Sequence, residues 1–362
     1  MGGARKVGRS SPGSTSPTDR ASSDRCRKDE LRRAVAVVAM CAAALLYPSR
    51  ALAEGFGPLP TRNFNPLQQL VLNMPGDRGT VLIRGEMEVR LELAETAAVF
   101  SEMTPKASAQ IKFETLRNGL FLRYGLTSKL EVGLEIPLLY RWTGFMSGMI
   151  EGVERATTGL SPARKALSQV SYAYNITRDG QQIVNGTNGA LGLGDSMVQV
   201  KYQLYKETSV MPALSLRTAV KLPTGKESEF FGSGSPDFGF GVALEKALGN
   251  RWILHGNLNG VLPTGRVAGF ALHPTLAGIA AAEYLWSNNL SLTLQFDYFT
   301  TPFRSTGLEV FDKGVSELVA GFSYLFAERW LWQVYAIENI DLITGGAADF
   351  TLSTLFTYRF GG

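Results

Sequence analysis

The chain has 362 residues, 39 of them glycine, and a mean hydropathy of +0.01. That composition argues against a disordered chain and leaves globular and membrane classes both open. Lys and Arg outnumber Asp and Glu by 36 to 32, but the excess lies in residues 1–53, and the remainder is slightly acidic. A nucleic-acid partner is excluded, because it would need a basic patch in the folded part.

Arg32-Arg33 precede the apolar run Ala34 to Leu46, followed by Pro48 and the small-residue triplet Ala51-Leu52-Ala53. The pattern predicts a Sec signal peptide within residues 1–53, cleaved after Ala53. The apolar run is too short for an anchor, since a spanning helix needs roughly 20 residues. Cys41 does not make a lipobox, because Met40 precedes it where a small residue belongs. Residues 1–30, polar and rich in Ser and Arg, read as sequence upstream of the true translation start. Cys26 and Cys41 both precede the cut, so residues 54–362 have no disulfide or thiol chemistry.

Residues 54–78 carry four prolines and no clear period. This segment either folds as a plug into the periplasmic mouth of the domain C-terminal to it, or lies there without structure.

From residue 79 to 360 the dominant signal is period two. Twelve segments show it, near 79–95, 110–126, 129–141, 194–205, 211–222, 236–247, 251–262, 273–286, 289–299, 314–326, 329–339 and 349–360. In the last, Phe350, Leu352, Phe356, Tyr358 and Phe360 share a face opposite Thr351, Ser353, Thr357 and Arg359. In the third, Leu130, Val132, Leu134, Ile136 and Leu138 oppose Glu131 and Glu135.

A soluble sandwich and a membrane barrel both produce such alternation, and the connections decide between them. Tight links (Thr127-Ser128, Lys206 to Val210, Leu248 to Asn250, Ser287-Asn288, Ala327-Glu328) alternate with long ones (96–109, 142–193, 223–235, 263–272, 300–313, 340–348). Short periplasmic turns and longer external loops are the asymmetry of outer-membrane barrels. Charge placement agrees, because Lys or Arg on the lipid face at mid-bilayer costs about 2–4 kcal/mol. The few charges on the greasy faces, among them Glu114, Lys246 and Glu338, fall at segment ends. Tyr124, Tyr202, Trp252, Trp286, Tyr324, Trp330 and Phe360 flank the tight turns on those faces, as an interfacial girdle requires. The fold class is therefore all-β: a transmembrane antiparallel up-and-down barrel of about 12 strands in a Gram-negative outer membrane.

Two near-copies, KLPTGK at Lys221–Lys226 and VLPTGR at Val261–Arg266, end outward-running strands. Proline lacks the N–H a sheet interior needs, and glycine permits the turn beyond it. A phosphate loop is excluded, since Gly225-Lys226-Glu227 has neither the upstream glycine nor a helix after it. Lys226 and Arg266 then sit at the external rim, within reach of lipopolysaccharide phosphates.

Gly125-Leu126-Thr127 running into Leu130-Glu131-Val132-Gly133-Leu134, Gly192-Leu193-Gly194-Asp195 before Lys201-Tyr202, and Lys221-Leu222-Pro223-Thr224-Gly225 resemble outer-membrane barrels associated with phenol meta-cleavage pathways. With the run Pro60-Thr61-Arg62-Asn63-Phe64-Asn65-Pro66, the chain is more closely similar, over about residues 55–360, to a proteobacterial outer-membrane barrel family of uncharacterised function. The resemblance implies a transporter-like barrel for small organic compounds and supplies no reaction. One departure is Gly361-Gly362 after Phe360, where such barrels usually end on the aromatic that the insertion machinery reads.

No residue cluster has zinc-ligand spacing, and neither a cofactor nor a catalytic set is assigned. Of the two histidines, His255 falls on an inward parity and His273 at a rim. A lipid-modifying hydrolase would instead need its serine and histidine beside the lipid. The wet face is the candidate site. Arg84, Glu86, Glu88, Arg90, Glu92, Arg117, Arg123, Glu131, Glu135, Lys201, Arg217, Lys221, Glu245, His255, Glu283, Asp297, Glu317 and Arg359 would project into one lumen. Either they line a watery path and set its selectivity, or they pair with each other and with the N-terminal segment as packing. In loop 142–193, Met146, Met149, Ile150 and Val153 have helical spacing and predict a stripe that constricts the mouth or rests on the outer leaflet, the alternative being a mobile surface loop. The function implied is a passive path for small solutes through a narrow or partly plugged barrel. The alternatives are a non-conducting structural or adhesive barrel and a lipid-modifying enzyme.

Overall fold

In the computed structural model, residues 55–340 and 348–361 are described. The signal peptide expected within residues 1–53 lies outside them. The strands are β1 (Met87–Met103), β2 (Ala107–Gly125), β3 (Leu130–Trp142), β4 (Ala173–Arg178), β5 (Gln181–Asn185), β6 (Ala190–Leu193), β7 (Ser196–Tyr205), β8 (Ala213–Leu222) and β9 (Asp237–Leu248). They continue with β10 (Trp252–Pro263), β11 (Arg266–Val267), β12 (Phe270–Ala271), β13 (Thr275–Leu285), β14 (Leu290–Phe299), β15 (Val315–Ala327), β16 (Trp330–Asn339) and β17 (Phe350–Phe360).

Each wall strand pairs antiparallel with its neighbours, and β1 closes on β17 with Met87 opposite Phe360 and Ala97 opposite Phe350. β6 and β7 together form one interrupted wall strand against β3, broken at Gly194-Asp195. Pro137 faces that break without an N–H to give, and its carbonyl accepts the Gly194 N–H at 2.9 Å. Counting β6–β7 once and leaving out the loop hairpins β4–β5 and β11–β12, the wall is a closed twelve-strand antiparallel barrel. No described helix is long and apolar enough to cross a membrane; the crossing elements are strands.

Burial alternates along the strands with the expected hand. In β17, Leu352 and Phe356 are exposed while Ser353, Leu355 and Thr357 are buried. In β3, Glu131 and Glu135 are buried between partly exposed Val132, Leu134 and Ile136. The oily face points away from the axis, as a lipid-facing wall requires. At the tight-turn end the outward aromatics form continuous ring contacts, Trp252–Tyr284–Trp286 and Trp330–Tyr358–Phe360. In one of those turns Gly249 takes φ +67, a left-handed value that β-carbon-bearing residues rarely adopt.

Two boundaries differ from the sequence expectation. The first strand begins at Met87, not at residue 79, and residues 79–86 turn through the periplasmic end. The expected long loop 96–109 is instead a hairpin in which β1 and β2 stay paired to Met103 and Ser108. Both strands exceed the roughly 9–11 residues that cross a bilayer. Their inward face beyond the wall is covered by an apolar external cap, where Ala98, Ile111 and Phe113 meet Leu67, Tyr174 and Phe303. The small side chains of Ala97-Ala98 and Ala107 hid this pairing from a reading based on bulky alternation.

Candidate functional site

Residues 55–83 run inside the barrel, and wall side chains bond them along the way. The Phe56 N–H donates to Glu283 at 2.9 Å near the periplasmic end, and the Leu59 N–H to Gln295 at 3.0 Å. Higher up, the Thr61 hydroxyl donates to Asp297, and Arg62 donates to Glu135 at 2.6 Å. A single 3-10 turn, Gln68–Leu70, forms the tip under the external cap. The chain then descends. The Leu72 N–H donates to Asp237 at 2.9 Å, Asn259 donates to the Met74 carbonyl at 3.3 Å, and the Leu82 N–H donates to Glu131 at 2.8 Å.

Three ionic centres seat this segment. In the periplasmic half of the barrel, Asp77 lies 3.1 Å from Arg123, 3.0 Å from Lys201 and 3.8 Å from Arg217. Arg78 grips Glu245 with two bonds, at 3.0 and 2.7 Å, a bidentate geometry that fixes both position and angle. Arg62 and Arg117 share Glu92 and Glu135, with Phe121 against both guanidinium groups.

A fourth centre holds the tip to the rim. The Lys221 ammonium lies 3.0 Å from Asp195 and 2.9 Å from Asp237, and it donates at 2.5 Å to the Leu70 carbonyl and to Ser233. The two LPTG copies are part of this construction. Thr224 accepts the Ser196 N–H at 2.8 Å and donates to the Gly194 carbonyl at 2.8 Å. The Thr264 N–H donates to Asp237 at 3.0 Å. In each copy the threonine of an outgoing strand ties down the start of the incoming neighbour, beside an aspartate. The motif is a rim clasp.

Glu88, Glu92, Arg117, Glu131, Glu135, Lys201, Arg217, Lys221, Glu245, His255, Glu283, Asp297 and Glu317 are all buried inside the wall. Arg90, Arg123 and Arg359 are half-buried; each lies within 3.3 Å of Glu88. Two expected lumen residues are corrected. Arg84 is exposed and Glu86 half-buried in the periplasmic turn, because β1 starts after them, and Glu86 accepts the Ile83 N–H at 3.1 Å. Lys226 and Arg266 are exposed outside the wall strands, Lys226 paired with Glu229 and Arg266 donating to the Gly269 carbonyl at 2.7 Å. His255 sits between Glu283 at 3.0 Å and Glu245 at 3.8 Å, with carboxylates on both sides of the ring.

Of the outward-face charges, Glu114 and Lys246 are fully buried under local cover. Glu114 accepts three backbone N–H groups, and Lys246 donates to the Thr208 and Ser209 carbonyls at 2.7 and 3.1 Å. Sequence reading missed Thr61, Arg62, Asp77, Asp195 and Asp237. The last two lay at the outer ends of segments 194–205 and 236–247 and were not assigned to the lumen.

Around the seated segment the interior spaces are small. One beside Arg62, Asn73 and Lys221 holds about 60 Å³, and one beside Asp77, Phe121 and Arg217 about 20 Å³. These are volumes for a few waters, not for a solute. Wider spaces lie at both ends. The external one, about 460 Å³, is lined by Leu70, Ile183, Phe230, Val267 and Arg266, and the periplasmic one, about 280 Å³, by Phe56, Arg78, Arg329 and Arg359. Among the described residues no cluster of His, Cys, Asp and Glu has the make-up of a metal site.

A closed twelve-strand antiparallel wall, oily outside and charged within, is a barrel of the outer-membrane type. The chain belongs to the family described as "Protein of unknown function (DUF3187)", which matches residues 34–360. Comparison with curated proteins by sequence gives no match. Among solved structures, the COG4313 outer membrane channel from Pseudomonas putida F1 is similar with a TM-score of 0.54 at 13% identity, over 79% of this chain and 99% of that one. The NanC porin gives 0.43 at 9% identity, over 76% and 100%, and the CymD monoaromatic hydrocarbon channel 0.36 at 11%, over 78% and 89%. At these identities the likeness is one of fold, and the two lower scores carry no argument.

Proposed function

We propose that this protein is a passive channel of the Gram-negative outer membrane for small solutes, closed in the present conformation by residues 55–83. One observation carries the reading. Between the wall side chains the lumen holds two passes of a chain segment that is not part of the wall. A twelve-strand wall that accommodates two backbone passes leaves, when they withdraw, a polar passage joining the two end chambers. The resemblance to barrels associated with meta-cleavage pathways, and the apolar lining of the external chamber by Leu70, Ile183, Phe230 and Val267, favour small organic solutes. The similar fold of a P. putida outer membrane channel supports the same direction.

In this reading the chain is exported, cleaved after Ala53 and inserted by the outer-membrane assembly machinery. Lys226 and Arg266 meet lipopolysaccharide phosphates at the rim. Unchanged lipopolysaccharide retention in a Lys226→Ala/Arg266→Ala variant would count against those contacts.

A second reading, a non-conducting structural or adhesive barrel, draws on the density of ion pairs that seat the segment. Planar-bilayer conductance and liposome swelling separate the two. The channel reading expects deletion of residues 55–78 to give a folded barrel with a large, solute-dependent conductance. A deleted barrel that folds and stays silent supports the second reading.

A further inference from the structure

The helix Met146–Ala156 of the longest external loop occupies an unexpected place. Its N-terminus is seated on Glu114, whose carboxylate accepts the N–H groups of Phe145, Met146 and Ser147 at 2.9, 3.0 and 2.7 Å. Glu114 lies opposite Ala97 on β1 and Trp142 on β3, on the outward parity of the wall. Lys112, on the same parity, pairs with Glu151 of the helix at 3.4 Å and donates to the Leu167 carbonyl at 3.1 Å. Buried Arg164, from the short helix Pro162–Ala166, joins Glu154 at 3.2 Å to Asp349, just before β17, at 2.7 Å. The helix pair is therefore clamped to the outside of the wall and does not constrict the mouth.

The opposite side of the first helix is bare. Phe145, Met149 and Val153, spaced i, i+4 and i+8, are 56, 65 and 63% exposed. Gly148 and Gly152 beside them face open space. This stripe continues an established apolar surface: Tyr140 and Trp142 on the outward face of β3 have ring centroids 6.0 Å apart, and Trp142 and Phe145 6.4 Å. Exposed Arg155 in the last turn, 3.9 Å from Glu151, and exposed Lys165 in the next helix supply cations nearby.

We propose that this helix is an in-plane membrane element resting on outer-leaflet lipid, with Phe145, Met149 and Val153 among the acyl chains and Arg155 and Lys165 toward anionic headgroups. The outward face of a membrane-crossing strand meets lipid, and a helix clamped to that face with its apolar stripe turned away meets the same lipid. An amphipathic helix with a basic polar side binds such an interface by buried apolar area together with charge.

The native chain provides a first test. In phosphatidylcholine vesicles containing lipid A, Met149 should react with the anionic oxidant chloramine-T several-fold more slowly than Met103, which is exposed at the β1–β2 hairpin. Equal rates would overturn the proposal. A second measurement uses nitroxide labels on Met149→Cys, Val153→Cys and Asp179→Cys, with Cys26 and Cys41 replaced by serine. Labels at 149 and 153 should collide with oxygen in preference to a water-soluble nickel chelate, and the label at the exposed tip between β4 and β5 should show the reverse. A nickel preference at all three would place the stripe in water and sink the idea, whatever the barrel conducts.

Discussion

Asp77 and Lys201 lie 124 residues apart in the chain and 3.0 Å apart inside the barrel. With Arg123 and Arg217 completing the contact, one carboxylate of the threaded segment meets three cations of the wall, two of which also pair with Glu131. Removing one partner of a buried ion pair typically costs about 3–5 kcal/mol, because the remaining charge is left uncompensated. Asp77→Asn should therefore loosen the segment and raise single-channel conductance or open probability in planar bilayers, while the wall strands stay intact by circular dichroism. Unchanged conductance in a folded variant would separate the Asp77 seat from closure.

Lys221 joins the tip of the segment to both aspartates of the rim clasp. Lys221→Met leaves Asp195 and Asp237 close together without their cation, at a cost of about 3–5 kcal/mol. Thermal unfolding in detergent should show a clear fall in Tm, partly restored in a Lys221→Met/Asp237→Asn double variant. No restoration would mean the loss comes from packing and not from charge.

Gly125 closes the periplasmic end, where a β-carbon would stand 2.1 Å from the Ile83 carbonyl oxygen and 2.9 Å from that of Leu82. Backbone atoms cannot swing aside as a side-chain tip can. Gly125→Ala should displace residues 82–83 and destabilise the protein by about 1–3 kcal/mol. Gly249→Ala should act through the strained turn instead and leave limited proteolysis of residues 55–83 unchanged.

Leu134 marks the lipid face near mid-wall. Leu134→Arg should lower barrel stability in lipid by about 2–4 kcal/mol, whereas Leu126→Arg, beside the turn, should cost about 0–1 kcal/mol. Reversible unfolding from phospholipid vesicles measures both, and equal costs would contradict the depth assignment.

The wall was legible because lipid imposes one rule on every strand: alternate side chains must be apolar. β3 and β17 obey it so regularly that face, register parity and approximate ends could be read from Leu134 and Phe356 alone. The interior was less legible. A segment such as Thr61 to Asp77 has no period, because each residue answers a different wall partner, and those partners range from 30 residues away (Arg62 to Glu92) to 236 (Thr61 to Asp297). Arg84 and Glu86 were misplaced for a related reason: alternation continues by chance through 81–86 into β1, and nothing local marks Met87 as the first paired residue. Glu114 broke the apolar rule, and the cause lay in a helix that begins some thirty residues further on.

The threaded segment enters beside Glu283 and leaves beside Glu131, both at the end with the tight turns, so it forms a bight pushed in from one side. No free terminus has to pass through the closed ring, and no seam between β1 and β17 has to part. Assembly can finish the cylinder first and tuck the bight in afterwards, and the same movement reversed would draw it out toward the periplasm with the cylinder undisturbed.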